Sequence, residues 1–500
     1  MGTTVRGDLP GREPPPDRST ARREPHRGRA LSLTILIGFS VLFLVGAAPR
    51  ITEPFGDSHD GRNGAAWGLG SRAIREQGII DSRAGARARM GDGLRVYANH
   101  PPLIASETAI AERICGERPW CTRAPAWLLS LSVPFLAYGL VRATGIGRLA
   151  AAGGVVLALA SPMFLVYGAM LDTPVTALPF GLALLLLMQR HRSGQHDPAP
   201  LAGAAAFVAV LASWQGVLLV GLLTLPSVYA AVRRRPIDPY GHAVAIGYFA
   251  GLVVLVAWEL WATGSLTGLG EQLRFRSYRD APVGWGDFAS KQWQHLRDVF
   301  SPVAIIALVP AVVALVRDRR TRLIGSVSVL LVCVYAVGLR NGAFYHVYWN
   351  YWLLVPLGLG LAVLLDGLVR QAAVRSYHPS FVGAAVVVVC AAVSLTSTAA
   401  RTPARSDIEL GWPAGRVAQK AAGPALGDSS VYIVAGLVYD PIFLSYYARL
   451  PVTTIETDRE LHALARRRPE ALVFTTAGPA SGYDLVPARV AAERRVRRSP

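Results

Sequence analysis

The chain has 500 residues, of which 52% are hydrophobic and only 17% are charged, and its mean hydropathy is +0.34. Soluble domains carry about 25% charged residues, so an ordinary soluble globular protein is excluded. The formal net charge of +18 is spread between apolar blocks instead of lying on one face, which argues against nucleic-acid binding. The sequence therefore predicts a mainly α, polytopic membrane protein.

The first 48 residues contain a polar tail and then an apolar run. Residues 1–30 are rich in Pro and Arg without apolar periodicity, which predicts a disordered cytoplasmic tail. Residues 31–48, LSLTILIGFSVLFLVGAA, have about the length of a membrane-spanning helix. Gly46 and Ala48 also resemble a signal-peptide cleavage site, but the run is long for a signal and many further spans follow. A retained first helix is the favoured interpretation.

Apolar blocks and loop charges predict the topology. After a polar segment from 49 to about 123, apolar blocks lie near 124–141, 150–170, 174–188, 201–232, 242–262, 302–316, 323–339, 351–369 and 380–398. The block 201–232 is long for one span and short for two. A turn at 213–215 would put every Arg-rich loop on the cytoplasmic side, as the positive-inside rule requires. We therefore expect about 11 spans within a transmembrane domain over 31–399, in the plasma membrane, with a cytoplasmic N-terminus.

This topology places the loop 49–123 and the segment 400–500 outside the cytoplasm. In the second of these, VYIVAGL (431–437), PVTTI (451–455) and EALVFTTA (470–477) have the residue types of short strands, with helical stretches between them. A small extracytoplasmic α/β module is predicted there. In the first, Cys115 and Cys121 lie in a compartment where a disulfide persists, although spacing alone does not fix its geometry.

The acidic residues avoid the centres of the predicted spans. They collect in the outer loops, which indicates chemistry at the outer interface and not an ion path through the bilayer. Asp57, His59 and Asp60 open the first outer loop. A helix over 63–78, along the membrane surface and ending at Gly78, is predicted to follow.

A second motif in the same loop is YANHPPL (97–103). Its two prolines stiffen the chain and orient the residues before them. This suits a fixed polar contact by Asn99 or His100, with Tyr97 beside them. An ordinary rigid loop would explain the motif equally well if it stood alone.

Four segments, in this order, resemble a known family. They are HDGRNGAAWGLGSRAIREQG (59–78), YANHPPL, CTRAPAWLLSL (121–131) and MLDTP (170–174). The pattern is similar to the GT-C membrane glycosyltransferases, in particular the protein O-mannosyltransferase and aminoarabinose-transferase-like group. The likeness covers residues 31–370 as architecture, with the specific motifs in 53–127 and 170–174. It implies an enzyme that inverts the anomeric carbon while transferring a sugar from a polyprenyl-phosphate donor to a glycan, lipid or protein acceptor.

The resemblance also implies site residues. The first-loop catalytic acid falls on Asp60, with Asp57 as an alternative, and the second acid falls on Asp172. The chain departs from the family at the first position, where His-Asp-Gly stands instead of Asp-Glu and the spacing to the helix-ending glycine is shorter. An ungapped alignment would place Asn63 there.

The basic groups carry over in the same way. The basic residue of the Pro-Pro motif, more often lysine in the family, falls on His100, and the arginine entering the second span falls on Arg123. Sugar transfer needs a carboxylate to take the acceptor proton and cations to stabilise the leaving phosphate. Asp60 suits the first task, whereas His100, Arg123 and Arg72 suit the second, since arginine matches phosphate well.

Two later segments are candidates for donor contact. The segment 273–298 mixes aromatic residues with Arg and Lys, which suits either an interfacial helix that holds the donor or an aromatic belt. In RNGAFYHVYWNYW (340–352), Tyr345, His346 and Tyr348 are predicted substrate contacts, with interfacial anchoring as the alternative.

Three matters stay open at the level of sequence. Paired acids also suit a divalent cation such as Mg²⁺ or Mn²⁺. A transporter or flippase for a lipid-linked sugar is the alternative function, but it predicts acids within spans and repeat symmetry, and neither is evident. A non-catalytic membrane assembly subunit would not depend on Asp60 or Asp172.

Overall fold

The computed structural model describes residues 26–90, 93–195, 197–277, 283–375, 379–410, 412–421, 431–434, 442–449, 452–478 and 482–496. Most of the predicted N-terminal tail therefore lies outside the described residues. Within the described ranges the chain is dominated by helices, as the long apolar blocks predict.

Helices and strands are numbered in chain order. The helices are α1 (His26–Thr52), α2 (His59–Asp81), α3 (Leu103–Cys115), α4 (Pro119–Thr122), α5 (Ala124–Ala143), α6 (Arg148–Leu159), α7 (Pro162–Leu165), α8 (Thr173–Arg192), α9 (Ala199–Ala212), α10 (Trp214–Val232), α11 (Pro239–Thr263), α12 (Thr267–Ser277), α13 (Trp285–Val299), α14 (Pro302–Arg317), α15 (Arg322–Gly338), α16 (Arg340–Tyr345), α17 (Leu354–Val374), α18 (Pro379–Leu410), α19 (Trp412–Ala421), α20 (Ile442–Ala448), α21 (Asp458–Arg467) and α22 (Ala488–Val496). The strands are β1 (Arg87–Met90), β2 (Gly93–Val96), β3 (Val431–Val434), β4 (Val452–Ile455), β5 (Leu472–Gly478) and β6 (Gly482–Pro487).

The apolar helices show a multi-pass membrane protein. Within the described ranges, seven helices are long and apolar enough to cross a membrane, and the pair α6 and α7, bent by 73°, would make an eighth span. Three shorter apolar helices, α9, α14 and α15, complete the set. Each of the predicted spans coincides with one of these helices or with the bent pair. The number of complete crossings and the orientation of the termini stay predictions.

The predicted break in the block 201–232 is confirmed. α9 ends at Ala212 and α10 begins at Trp214. Ser213 between them has an extended backbone, with φ of −165°, and its hydroxyl accepts a hydrogen bond of 3.0 Å from the Gly216 N–H. Serine is a preferred N-cap because its oxygen satisfies one of the unpaired N–H groups at a helix start.

The first loop contains the predicted disulfide and helix. The bond joins Cys115 to Cys121, beside the start of α5. α2 stops being regular at Gly78, whose φ of 82° is a conformation that glycine adopts readily. The helix begins earlier than predicted, at His59. Most of its residues up to Ile74 are buried within the protein. Its placement along the membrane surface stays a prediction.

A small α/β module covers α2. Its sheet has the strand order β4-β3-β5-β6, in which β3 is parallel to β4 and β5, and β6 is antiparallel to β5. The three predicted strands are present, and β6 is an addition. In α20, the Tyr447 hydroxyl accepts a hydrogen bond from the Phe55 N–H at 2.6 Å, and the Tyr446 hydroxyl lies 2.8 Å from that of Thr122. Phe55 and Thr122 stand near the two ends of the loop 49–123, which contains α2. The module therefore packs against both ends of this loop.

Candidate active site

The rotation of α2 about its axis decides which side chains face the membrane helices. Gly64 lies against the Phe55 ring and Gly68 against the Tyr446 ring, so closely that a Cβ atom at either position would overlap the ring. His59, Asn63 and Trp67 follow one another at intervals of four residues, which places them together on one face of a helix. The face of α2 with Gly64 and Gly68 packs under the module. The face with His59, Asn63 and Trp67 is therefore turned away from these contacts.

Asp172 is the acid that this second face meets. The Asn63 Nδ2 donates a hydrogen bond of 2.9 Å to Asp172 Oδ2. Asp172 Oδ1 accepts a bond of 2.6 Å from the Thr173 N–H and so caps the start of α8. The Tyr348 hydroxyl also bonds to this carboxylate. The predicted turn acid and the alternative residue Asn63 are therefore in direct contact.

Burial changes the proton affinity of Asp172. The residue is only 3% exposed. Burial raises the pKa of the Asp172 carboxyl to about 6, although the Thr173 N–H, the charge of Arg276 and the Tyr348 hydroxyl oppose the shift. A pKa near the working pH is what a general base requires, since the group must be deprotonated and still able to accept a proton.

Arg276, in the last turn of α12, supplies positive charge to the side chains around Asp172, here named the Asp172 cluster (Asn63, His100, Arg276, His346 and Tyr348). Its guanidinium lies 5.1 Å from the centre of the Trp349 ring. Burial, followed by the charge of Arg276, lowers the pKa of His100 to about 3. Burial also lowers the pKa of His346 far below its ordinary value, with further contributions from His59 and Arg276. Both histidines are therefore neutral at pH 7 and can donate one hydrogen bond each.

Aromatic and imidazole rings complete the Asp172 cluster. The ring centre of His59 lies 5.0 Å from that of His346, and His346 stacks on Trp349 at 5.6 Å. On the other side, Trp67 lies 5.9 Å from Tyr97 and 6.0 Å from His100. Flat faces beside a carboxylate and a cation suit a molecule that has both apolar surface and polar groups.

Asp60 belongs to a neighbouring but separate contact group. Its Oδ2 accepts hydrogen bonds from Arg123 Nη2 at 2.8 Å and from Nε at 3.3 Å. The remaining donors of Arg123 reach the carbonyl oxygens of Ile51, at 3.2 Å, and Glu53, at 2.6 Å. This buried pair ties the end of α1 to the starts of α2 and α5, so Arg123 has its donors committed within the protein.

Arg72 lies on the module side of α2. It pairs with Glu117 and donates to the backbone carbonyls of Tyr446 and Ser445. Arg75 and Arg449 also bond to Glu117. Burial alone would raise the pKa of Glu117, but these arginines outweigh it and lower the pKa. The structure thus places the predicted phosphate ligand Arg72 in an ion-pair cluster between the first loop and the module.

The other predicted contacts are divided. Tyr97, His100 and His346 belong to the Asp172 cluster. The Asn99 carbonyl accepts a hydrogen bond of 2.9 Å from Trp214 Nε1 and so anchors the Pro-Pro loop to α10. Tyr345 is 59% exposed. Asp57 is half-buried just before α2.

Three residues of the Asp172 cluster were not predicted individually. Trp67 was missed although it follows His59 and Asn63 at helical spacing, and this spacing was the available signal. Arg276 and Trp349 were missed because each lies among several similar residues in its segment. Among the described residues, no group of three His, Cys, Asp or Glu side chains is arranged to hold a metal ion. The sequence left open whether the acids bind a divalent cation. The described residues offer no ligand set for such an ion, and no step of the proposed reaction involves one.

Two solved structures share this architecture, and their likeness confirms the GT-C fold that the motifs resemble. The chain is similar to ArnT from Cupriavidus metallidurans bound to undecaprenyl phosphate, with 16% identity, a TM-score of 0.53 and coverage of 93% of this chain and 98% of that chain. The apo form of the same ArnT gives 16% identity, a TM-score of 0.52 and coverage of 91% and 99%. At this identity the likeness shows the fold. No family model matches the sequence, and no curated protein is similar to it.

Proposed function

We propose that the protein is an integral membrane glycosyltransferase that transfers a sugar from a polyprenyl-phosphate donor to an acceptor hydroxyl. The observation that carries the proposal is the buried carboxylate of Asp172, which is within reach of the charge of Arg276 and lies in a cluster of aromatic and imidazole rings, on a fold similar to GT-C. The match to ArnT bound to undecaprenyl phosphate supports a lipid phosphate as the donor's leaving group.

Asp172 is the proposed general base. The acceptor hydroxyl oxygen attacks the anomeric carbon, the bond from that carbon to the phosphate oxygen breaks, and the acceptor proton passes to Asp172. Asn63 and the Thr173 N–H hold the carboxylate in position. A single displacement of this kind inverts the anomeric carbon, as the family resemblance implies.

Arg276 is the proposed partner of the leaving phosphate. Negative charge grows on the phosphate as the bond breaks, and a cation positioned beside it stabilises that charge. Arg276 is half-buried, and its guanidinium lies over the Trp349 ring. His100 is neutral there, so we assign it a hydrogen bond to the phosphate and no charge. This differs from the expectation of a basic group at the Pro-Pro motif.

Asp60 is assigned a positioning role in place of the predicted base. Its carboxylate already accepts two bonds from Arg123, and an ion pair buried in this way is costly to separate. Tyr167 lines a small cavity with Asp60, and its ring centre lies 6.4 Å from that of Tyr348. The Asp60 pair therefore lies next to the Asp172 group and can fix the start of α2 for it.

The test is in vitro transfer from a series of polyprenyl-phosphate sugars by the full-length protein in detergent. Asp172→Asn is expected to lower turnover by about 10²–10⁴-fold, the usual contribution of a general base. Asp81→Asn, an exposed acid on the same helix as Asn63, is the matched control and keeps full turnover. Full activity in Asp172→Asn, with its unfolding midpoint unchanged, would remove the base assignment.

A further inference from the structure

A groove lies where α13, α14 and α18 meet. It is an open cavity of about 620 Å³. One wall is apolar and consists of Trp293, Ile305 and Ile306, and the polar end holds Arg297, Asp298 and Arg401. None of these residues belongs to the Asp172 cluster.

The three helices place this groove at the boundary of the membrane. The apolar block of α18 lies near 380–398, and the residues from Arg401 onward, RTPARSDIEL, are mostly polar, so Arg401 stands at the polar end of that block. α14 starts at Pro302, and its cap Ser301 marks the same level. α13 is amphipathic, and Trp293 on its outer side is 51% exposed. Trp and Arg at such a level are typical of the zone of lipid headgroups.

The apolar wall is open toward the lipid. Ile306 is 79% exposed on α14. An apolar side chain exposed at this level is covered by acyl chains in a bilayer, because apolar surface leaves water spontaneously. The groove thus offers a chain-binding wall directly below a charged end.

The charged end is built around Arg401. Its Nη1 donates to the carbonyl oxygens of Arg297, at 2.5 Å, and Phe300, at 3.2 Å, and its Nη2 donates to Ser397 Oγ at 2.6 Å. These bonds hold the guanidinium at the C-terminal end of α13, where the helix dipole favours a cation. The Arg297 side chain is exposed beside it.

The balance of charge selects the headgroup. Two arginines and one aspartate line the groove, so its net charge is +1. A phosphodiester carries one negative charge, and arginine matches phosphate oxygens in a paired geometry. A phosphomonoester, such as the released polyprenyl phosphate, carries more charge near neutral pH and matches less well. The sugar-bearing donor is also a phosphodiester, so the charge does not exclude it; the apolar wall, short enough for one acyl chain, favours the glycerophospholipid.

We propose that this groove is a specific binding site for an anionic glycerophospholipid, with the phosphodiester at Arg297 and Arg401 and one acyl chain along Trp293 and Ile306. This lipid site is distinct from the Asp172 cluster, where the sugar donor is proposed to bind. It fixes α13 on α14 and α18 at the level of the headgroups.

The test uses the full chain in detergent, titrated with phosphatidylglycerol or phosphatidylcholine that carries brominated acyl chains, which quench tryptophan fluorescence on contact. Phosphatidylglycerol is expected to quench saturably and at lower concentration. Arg297→Gln should weaken this preference about fivefold, since an arginine near a lipid surface contributes about 1 kcal/mol. Trp293→Phe should remove the headgroup-dependent part of the quenching.

Two variants are matched controls. Arg235→Gln removes an exposed arginine after α10, and Trp285→Phe removes an exposed tryptophan at the other end of α13; both should keep the preference. Equal quenching by the two lipids, or an unchanged preference in Arg297→Gln, would overturn the proposal. So would displacement of phosphatidylglycerol by equimolar undecaprenyl phosphate, which would assign the groove to the carrier, or by inorganic phosphate alone, which would make it a small-anion site.

Discussion

Removal of the Asp60 charge is expected to damage stability more than chemistry. The side chains of Asp60 and Arg123 are 3% and 1% exposed, and their closest atoms are 2.8 Å apart. Replacement of one partner of a buried pair leaves the other charge without compensation, which costs about 3–5 kcal/mol. We therefore expect Asp60→Asn to lose about this much unfolding free energy, whereas turnover per folded molecule falls less than about tenfold, well short of the usual loss of a general base.

The assay compares two quantities for each variant. Unfolding is followed by titration with SDS in mixed micelles, and turnover is measured at a temperature where every variant is folded. Asp172→Asn is the matched partner, with the opposite expectation of retained stability and lost turnover. A stable but inactive Asp60→Asn would refute the positioning role and restore Asp60 as the base.

A double variant separates the two roles further. Asp60→Leu with Arg123→Met removes both charges of the pair, and apolar replacement of a buried pair is often neutral or stabilising. Buried Arg50 lines the same small cavity and loses the favourable charge of Asp60, which reduces the gain. The carbonyl groups of Ile51 and Glu53 lose their donor, which costs about 1–3 kcal/mol each, so recovery of stability is partial. Turnover should recover in parallel with stability. If stability recovers while turnover stays at the level of Asp60→Asn, Asp60 acts in the reaction itself.

Two further predictions concern the Asp172 cluster. Burial raises the pKa of Asp172 to about 6, and a base works only when deprotonated, so kcat/KM should fall tenfold per pH unit below about pH 6; a limb near pH 4, at the ordinary pKa of an aspartate, would contradict the assignment. Arg276→Gln should reduce kcat/KM for the lipid-phosphate donor by about 10–100-fold, the range of a lost charged hydrogen bond, whereas the exposed Arg274→Gln on the same helix should be neutral. Equal effects of the two variants would remove Arg276 from the phosphate site.

Sequence signals were sufficient for the long apolar helices. Apolar blocks of span length predict helices because a backbone in lipid must satisfy its own hydrogen bonds. The irregularity at Gly78 was predictable because a glycine that ends a helix acts through its nearest neighbours. The break at residues 213–215 was predicted from the charges of the flanking loops, and the disulfide from the placement of both cysteines outside the cytoplasm.

The function of each acid was not available from the same signals. Asp57, Asp60 and Asn63 lie within two turns of chain, and a family pattern with a shifted spacing did not choose among them. The choice depends on the rotation of α2, which is set by the close contacts of Gly64 with Phe55 and Gly68 with Tyr446. Tyr446 is more than 370 residues away in the chain, so this contact has no local signature.

The sequence by itself determined the membrane class, the positions of the helices, the small sheet and the motifs that resemble the GT-C fold. Periodicity, capping and composition are local properties, and they fix those features. Only the tertiary structure decided that Asn63 faces Asp172, that Asp60 is held by Arg123 and that the charge of Arg276 reaches His100. Each of these contacts joins distant segments through packing, and packing is specified by the whole fold.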